Sequence, residues 1–315
     1  MELRQLRYFV VIADCKNMTK ASGVLHIAQS ALSTNIKNLE EELGVILLVR
    51  SRKGVELSEY GRTFIAYARS TLREAEKAKE SLKGLIDNPS GEVTLAVPPS
   101  VIRILSVPLY KNLSKYYPNI RLNLIDGIAD ELFESFKSGD IDQLIVYDPQ
   151  VSVHYESISL FTEQFFLISN YKLENTAKAV QFTELGSYPL CRPPPGRGRS
   201  EILGESIEKH DMPLNLLNFC AHPFGIIELV RAGVTSAILP WSICQEYIEN
   251  GELIAREIVN PRLIRHAFLL NQASRTPSIA STKVAEVLKN VILQVISEGK
   301  LMGESLFDET VKDSV

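Results

Sequence analysis

The stretch from Met18 to Leu39 limits what this chain can become more than any other. Leu25, Leu32, Ile36 and Leu39 recur at helical spacing and supply one apolar side. At about 100° per residue, Ile36 and Leu39 fall within roughly 40° of Leu32, so the second half of the run reads as an amphipathic helix. Gln29, Ser30, Ser33, Thr34 and Lys37 fill one continuous arc on its outward side. Ala21 is small enough for two short helices to cross closely at that point. An ordinary surface helix carries more Glu and Lys and fewer Ser and Thr. An apolar back with a front of short hydrogen-bonding side chains suits the major groove of DNA, and the run is predicted to be a helix-turn-helix.

The flanks agree. Leu6, Phe9, Val10 and Ala13 lie at i, i+3, i+4 and i+7, which predicts a packing helix over 3–14. Gly44, after Glu40-Glu41-Glu42-Leu43, is placed to close the reading helix at its C-terminus. Val45 to Val49 reads as a short strand, Arg50-Ser51-Arg52-Lys53-Gly54 as a basic turn and Val55 to Ser58 as a return strand. Such a hairpin tip reaches phosphates or a narrow minor groove. Gln29 and Ser33 are expected to contact bases, with Thr34 offering a methyl to thymine and Ser30 sharing the reading face. Thr19, Lys37, Arg50, Arg52 and Lys53 are expected at the backbone. Charge points the same way: residues 1–90 hold 14 Lys and Arg against 11 Asp and Glu, the remainder 20 against 27. Nucleic-acid contact therefore belongs at the N-terminal end.

Three segments carry a resemblance. Leu3-Arg4-Gln5-Leu6-Arg7-Tyr8-Phe9, then Thr19-Lys20-Ala21-Ser22 with Leu25 to Ser33, and Leu39-Glu40-Glu41-Glu42-Leu43-Gly44 closely resemble the LysR-type transcriptional regulators. The likeness is dense over 1–70 and is one of pattern beyond. Ser30 stands where the family commonly has Pro and Thr34 where it often has Arg, so the operator cannot be copied from relatives. The resemblance implies a winged helix-turn-helix over 1–58, then a linker helix over 59–88. An α/β effector domain like a periplasmic binding protein follows over 91–300, and a tail over 301–315. Its two subdomains would be about 91–161 with 268–300, and about 162–267. It also implies double-stranded DNA, a second copy of the chain and a small-molecule effector as partners, with RNA polymerase as a further one.

The residues support that layout. Ser58 is a plausible N-cap, and no Pro or internal Gly interrupts Arg62 to Lys83. Phe64, Ala68, Thr71, Ala75, Ala78, Leu82 and Leu85 alternate steps of four and three, the seam of a coiled coil, so a dimerising helix is expected, with a tetramer common among relatives. Asp87-Asn88-Pro89-Ser90-Gly91 breaks it. Beyond, short apolar strands alternate with helices, an α/β pattern. Strands are predicted at 93–97, 120–125, 143–147, 165–169, 189–191, 216–220, 236–239, 253–259 and 267–270, and helices at 101–116, 129–138, 200–209, 223–232, 242–249 and 279–297. Gly139-Asp140-Ile141-Asp142 and Ala232 to Pro240 resemble family signatures, and residues 300–315 read as a polar, loosely ordered tail. Ligands in such folds sit at the carboxyl ends of strands between the lobes.

Candidate effector contacts follow from those strand ends: Pro99 and Ser100, Asp126, Tyr147 and Asp148, Phe161, and from the other lobe Phe219 and His222. Ser100 either caps the next helix or also faces the ligand. Gly196-Arg197-Gly198-Arg199 before a predicted helix is either an effector contact, through Arg197 and Gly198, or an exposed basic loop. If both places bind ligand, a small anion is favoured. Metal and catalytic readings are weak: Cys15, Cys191, Cys220 and Cys244 lack ligand spacing, and Cys220 with His222 lacks an orienting third group. No cofactor beyond the effector is implied. No apolar run approaches the roughly 18 residues of a membrane span, and no signal peptide precedes Met1, so a cytoplasmic protein is expected. The rival readings are an α/β enzyme with an accessory DNA-binding domain, and a constitutive DNA-bound scaffold whose C-terminal part only assembles oligomers.

Overall fold

The computed structural model describes residues 1–51, 54–83, 89–127, 129–149, 154–170, 178–192, 215–220, 222–273 and 275–307. Its contacts divide the chain into two units, Met1–Asp87 with Lys137–Asp140, and Asn88–Phe136 with Ile141–Val315.

In the first unit α1 (Leu3–Cys15), α2 (Met18–Leu25) and α3 (Gln29–Leu43) precede a hairpin of β1 (Leu48–Ser51) and β2 (Gly54–Leu57) and the long α4 (Glu59–Lys83). Asn17 caps α2 by accepting the Lys20 N–H at 2.9 Å. Gly44, at φ +70°, closes α3 in the left-handed conformation that only glycine adopts freely. The strand starts later than the predicted Val45. The reason is Glu40, whose Oε1 accepts the N–H groups of Leu47 at 2.7 Å and Leu48 at 3.0 Å and so ties the wing to the end of α3. Leu6, Phe9, Ile12, Ala21, Leu32, Ile36 and Leu39 form the core.

Ser58 accepts the Gly61 N–H at 2.9 Å and starts α4, as its sequence position implies. The predicted seam does not stay free along its length. Phe64 packs on Phe9 with ring centroids 5.4 Å apart, and Ala68 is buried in the same core. Tyr60 and Tyr67 stand outward instead, 61% and 68% exposed. Leu85 and the side chain of Leu82 lie outside the described residues.

The second unit holds two lobes. In lobe I, β3 (Gly91–Val97) pairs in parallel with β4 (Ile120–Asp126) and β5 (Gln143–Tyr147), and β5 pairs with β12 (Ile264–Gln272). Helices α5 (Ile102–Tyr116), α6 (Ala129–Lys137) and, after β12, α9 (Ile279–Ser297) belong to this lobe. The strand β6 (Tyr155–Asn170) runs antiparallel to β12 as far as Gln164, then enters lobe II, where it lies between β10 (Ser236–Pro240) and β11 (Leu253–Val259). There β10 pairs with β8 (Leu190–Arg192), β8 with β9 (Leu216–Phe219) and β11 with β7 (Ala179–Gln181). Helices α7 (Pro223–Arg231) and α8 (Trp241–Glu249) pack on the lobe II core of Ile168, Ile226, Ile227, Val230, Ala237 and Ile243.

Three expectations need correction. The predicted 165–169 strand is only the lobe II half of β6, because polar residues in 155–164 disguise its start. Strand β7 and the 3₁₀ turn Phe182–Ser187 have no counterpart among the predicted elements. The start of the supposed loose tail is bonded to β6, with Gln164 N–H donating to Met302 O at 3.0 Å and Thr162 N–H to Glu304 O at 2.8 Å. The predicted helix 200–209 lies outside the described residues.

Candidate nucleic-acid interface and effector cleft

The apolar side of α3 is fixed by Leu32, Ile36 and Leu39, all buried, and this aims the opposite side outward. Gln29, Ser30, Thr34 and Lys37 are exposed there, and Ser33 is half-buried at the margin. Thr19, near the start of α2, donates from Oγ1 to Gln29 Oε1 at 3.2 Å, which joins the expected backbone and base contacts. The Thr34 hydroxyl is turned back onto Ser30 O at 3.0 Å, so its proton is committed within α3. Lys37 lies 3.4 Å from Glu41, an exposed pair of little strength. Arg50 lies in β1 with its side chain undescribed, and Arg52 and Lys53 lie outside the described residues.

In the second unit one buried cluster stands where β6 and β12 pass between the lobes. Glu163 on β6 is fully buried. Its Oε2 accepts Arg265 Nη2 at 2.6 Å, Arg265 Nε at 2.9 Å and the Tyr147 hydroxyl at 2.7 Å, while Oε1 accepts the Ser242 hydroxyl from the start of α8. The carboxylate therefore binds a lobe I group with one oxygen and a lobe II group with the other. Arg265 Nη2 also donates to Ser100 Oγ at 2.9 Å, and the guanidinium lies 3.4 Å from the centre of the Tyr147 ring. Among the described residues Arg265 Nη1 makes no hydrogen bond. Burial pulls the guanidinium's pKa down, but Glu163 and Tyr147 outweigh it and hold it above its ordinary value. Burial pushes the Tyr147 phenol far up, against the pull of Arg265 and with the push of Glu163, so Tyr147 remains a hydrogen-bond donor.

Of the predicted effector contacts, Ser100 and Tyr147 thus meet, 3.3 Å apart. Ser100 does not cap α5; the N-cap is Val101, and the serine hydroxyl is spent on Arg265 and Tyr147. Pro99 is half-buried in the same turn. Asp148, at φ +42°, accepts the His266 N–H at 3.2 Å beside Arg265. Phe161 is no cleft residue: it is fully buried in the lobe I core, edge-on to Tyr147 at 6.4 Å. Asp126 ends β4 exposed, Phe219 ends β9 at 56% exposure and His222 precedes α7 exposed, none of them bonded to the cluster. Arg197 and Gly198 lie outside the described residues. Sequence reasoning missed Glu163, Arg265 and Ser242; the available signal was a charge of opposite sign beside each of two apolar runs, Glu163 before 165–168 and Arg265 before 267–270.

A second buried arginine has no such pairing. Arg256 is 1% exposed; its Nη1 donates to the Tyr188 hydroxyl at 2.9 Å, whereas Nε and Nη2 are buried without a partner among the described residues. Among the described residues no cluster of His, Cys, Asp and Glu suits a metal ion, and no helix is long and apolar enough to cross a membrane.

Comparison with known proteins places both units. Residues 3–62 match the family model of the bacterial regulatory helix-turn-helix protein, lysR family, and residues 87–292 that of the LysR substrate binding domain. The nitrogen assimilation regulatory protein nac of Escherichia coli is 31% identical over 299 residues, 95% of this chain and 97% of that protein. A full-length OxyR variant from Pseudomonas aeruginosa superposes with a TM-score of 0.71 at 22% identity, covering 93% of this chain and 94% of that one. Full-length CbnR complexed with target DNA has a TM-score of 0.68 at 21% identity, covering 93% and 99%. These relatives are transcriptional regulators rather than enzymes. With an N-terminal helix-turn-helix and a C-terminal two-lobed α/β unit, the chain belongs to the LysR family of DNA-binding transcriptional regulators.

Proposed function

We propose that this regulator reads its operator through Gln29, Ser33 and Thr34, with Ser30 beside them. It is switched by a small anion that Arg265, positioned by Ser100, holds between the lobes. The observation that carries the effector reading is the half-committed guanidinium. Glu163 and Ser100 occupy Nε and Nη2, which fixes the plane of Arg265, and Nη1 is left for a ligand. A planar cation with one edge anchored and the other available suits a carboxylate or an inorganic oxyanion. Pro99, Asp126, Asp148, Phe219 and His222 remain candidates for the surrounding contacts, as do Arg197 and Gly198. Tyr147 supports the ligand from beneath Arg265.

Ligand binding to one lobe arrangement better than another would shift the population of DNA-bound states, the only way a ligand moves such an equilibrium. Thr19, Lys37, Arg50, Arg52 and Lys53 are assigned to the DNA backbone. Two copies would pair along α4 and pair again through the α/β units into a tetramer. The exposed positions Tyr60 and Tyr67, with Thr71 and Ala78, carry the α4 reading better than a seam beginning at Phe64. RNA polymerase is the further partner, and the cytoplasm the compartment.

The test is calorimetric titration of the full chain with acetate, benzoate and sulfate, and with the neutral amides of the two acids. Binding of an anion but not its amide, lost in Arg265→Gln and weakened in Ser100→Ala, is the expected result. Binding of the amides alone, or anion binding indifferent to Arg265→Gln, overturns the anion site. Self-association is checked by sedimentation of Tyr67→Glu with Ala78→Glu, which should yield monomers.

A further inference from the structure

We propose that residues 299–306 are a strap built into the hinge between the lobes, and that its seating sets the resting lobe angle. The crossover part of β6 is held on both edges. On one side β12 pairs with it from Ser159 to Gln164. On the other, Thr162 N–H donates to Glu304 O at 2.8 Å, Gln164 N–H to Met302 O at 3.0 Å and Leu306 N–H to Leu160 O at 2.9 Å, an antiparallel pairing that continues through Phe161 and Ser305. The approach is so close that a Cβ on Gly303 would stand 1.7 Å from Thr162 O, a distance no side chain tolerates. Leu301 is 2% exposed in the lobe I core and roots the strap there.

The strap also reaches lobe II. The Trp241 ring N–H, at the start of α8, donates to Gly299 O at 2.8 Å, and the ring packs on Phe166 of β6 with centroids 5.3 Å apart. The next residue, Ser242, donates to Glu163. Turning lobe II against lobe I therefore strains the Trp241–Gly299 bond and the Ser242–Glu163 bond together. It also bends the one strand segment whose N–H groups the strap satisfies. The match to the substrate-binding domain model ends at residue 292, so the strap lies beyond the matched residues.

Trp241 is the chain's single tryptophan, so its emission in the full chain reports the strap directly. Gly303→Val should unseat the strap, shift the emission to the red and raise acrylamide quenching. The amides of Thr162, Gln164 and Leu306 should exchange about tenfold faster or more, while those of β3 and β4 keep their protection. Leu306→Pro is the milder variant should Gly303→Val not fold, because it deletes one strap N–H at a residue 39% exposed. The lobe angle is read by spin labels at Lys111→Cys on α5 and Glu249→Cys on α8, in a background without the native cysteines. These two positions line a groove of about 680 Å³ between the lobes. A shifted or broadened distance distribution in the strap variants is expected. Unchanged exchange at Thr162 and Gln164 in Gly303→Val or Leu306→Pro would show the strap is not seated. Faster exchange with an unchanged distance distribution would reduce it to packing and overturn the hinge role.

Discussion

In the N-terminal unit the polar side chains that matter stand outside a core made entirely by others: Gln29, Ser30 and Thr34 are exposed while Leu32, Ile36 and Leu39 hold α3 in place. In the C-terminal unit they stand inside, where Glu163 is fully buried and Ser100 is 5% exposed. On the proposed reading, changing one of these exposed side chains should cost DNA binding and leave folding alone. Changing a buried partner leaves a charge without its counterpart, and folding and response suffer together.

The largest expected effect tests that contrast directly. Glu163→Ala strands Arg265, together with the hydroxyls of Tyr147 and Ser242, and should destabilise the chain by about 3–5 kcal/mol. Glu163→Gln, which keeps the shape and two hydrogen-bonding atoms, should cost less. Denaturant melts followed at Trp241 check this. Equal losses for the two variants would mean that packing rather than charge holds the lobes. Arg256 should behave in the opposite sense. It is as buried as Glu163 but has no counter-charge among the described residues, so Arg256→Met should be neutral or stabilising, by up to about 4 kcal/mol. Destabilisation in the same melts would reveal an unseen partner.

The next effect belongs to the other unit. Gln29→Ala should weaken operator binding by about 1–3 kcal/mol while leaving random DNA and the melting curve nearly unchanged. Gel-shift titrations on both DNAs, at fixed salt, check it. Equal losses on the two DNAs would remove Gln29 from base reading and blur the contrast between the units.

The same contrast decides which features are legible in the amino-acid sequence. The reading helix is legible because its signal is local: a 3.6-residue apolar repeat, a closing Gly44, and an outward arc of amide and hydroxyl side chains within one short segment. The strands of the α/β unit are legible where they are mainly apolar, as at 143–147 and 253–259. The hinge cluster is not, because Glu163 and Arg265 lie 102 residues apart and meet only after two strands cross. Each also stands just before an apolar run, so the segments carrying them read as loop. Ser100 occupies the expected turn without the capping role. Its hydroxyl serves Arg265 rather than the helix terminus.

The smallest effect, in reaction order rather than energy, sharpens the comparison by letting each unit report on itself. Cys15 belongs to the reading unit and is half-buried; Cys191, Cys220 and Cys244 belong to the effector unit, where Cys220 is half-buried and the other two buried. Burial raises the thiol pKa of Cys191 and of Cys244. The thiolate is the reactive form, so a raised pKa leaves less of it at any given pH and the buried pair should resist alkylation at pH values where an ordinary thiol reacts. Iodoacetamide at mildly alkaline pH, read by peptide mass spectrometry, should therefore mark Cys15 and Cys220 first. Cys191 and Cys244 should follow only as denaturant opens the effector unit. If Cys15 and Cys244 become reactive at the same denaturant concentration and with the same steepness, the two units unfold as one. If Cys244 labels as fast as Cys220 in the native protein, the interior in which Glu163 and Arg265 are paired is open to solvent, and the contrast between outside readers and inside partners fails.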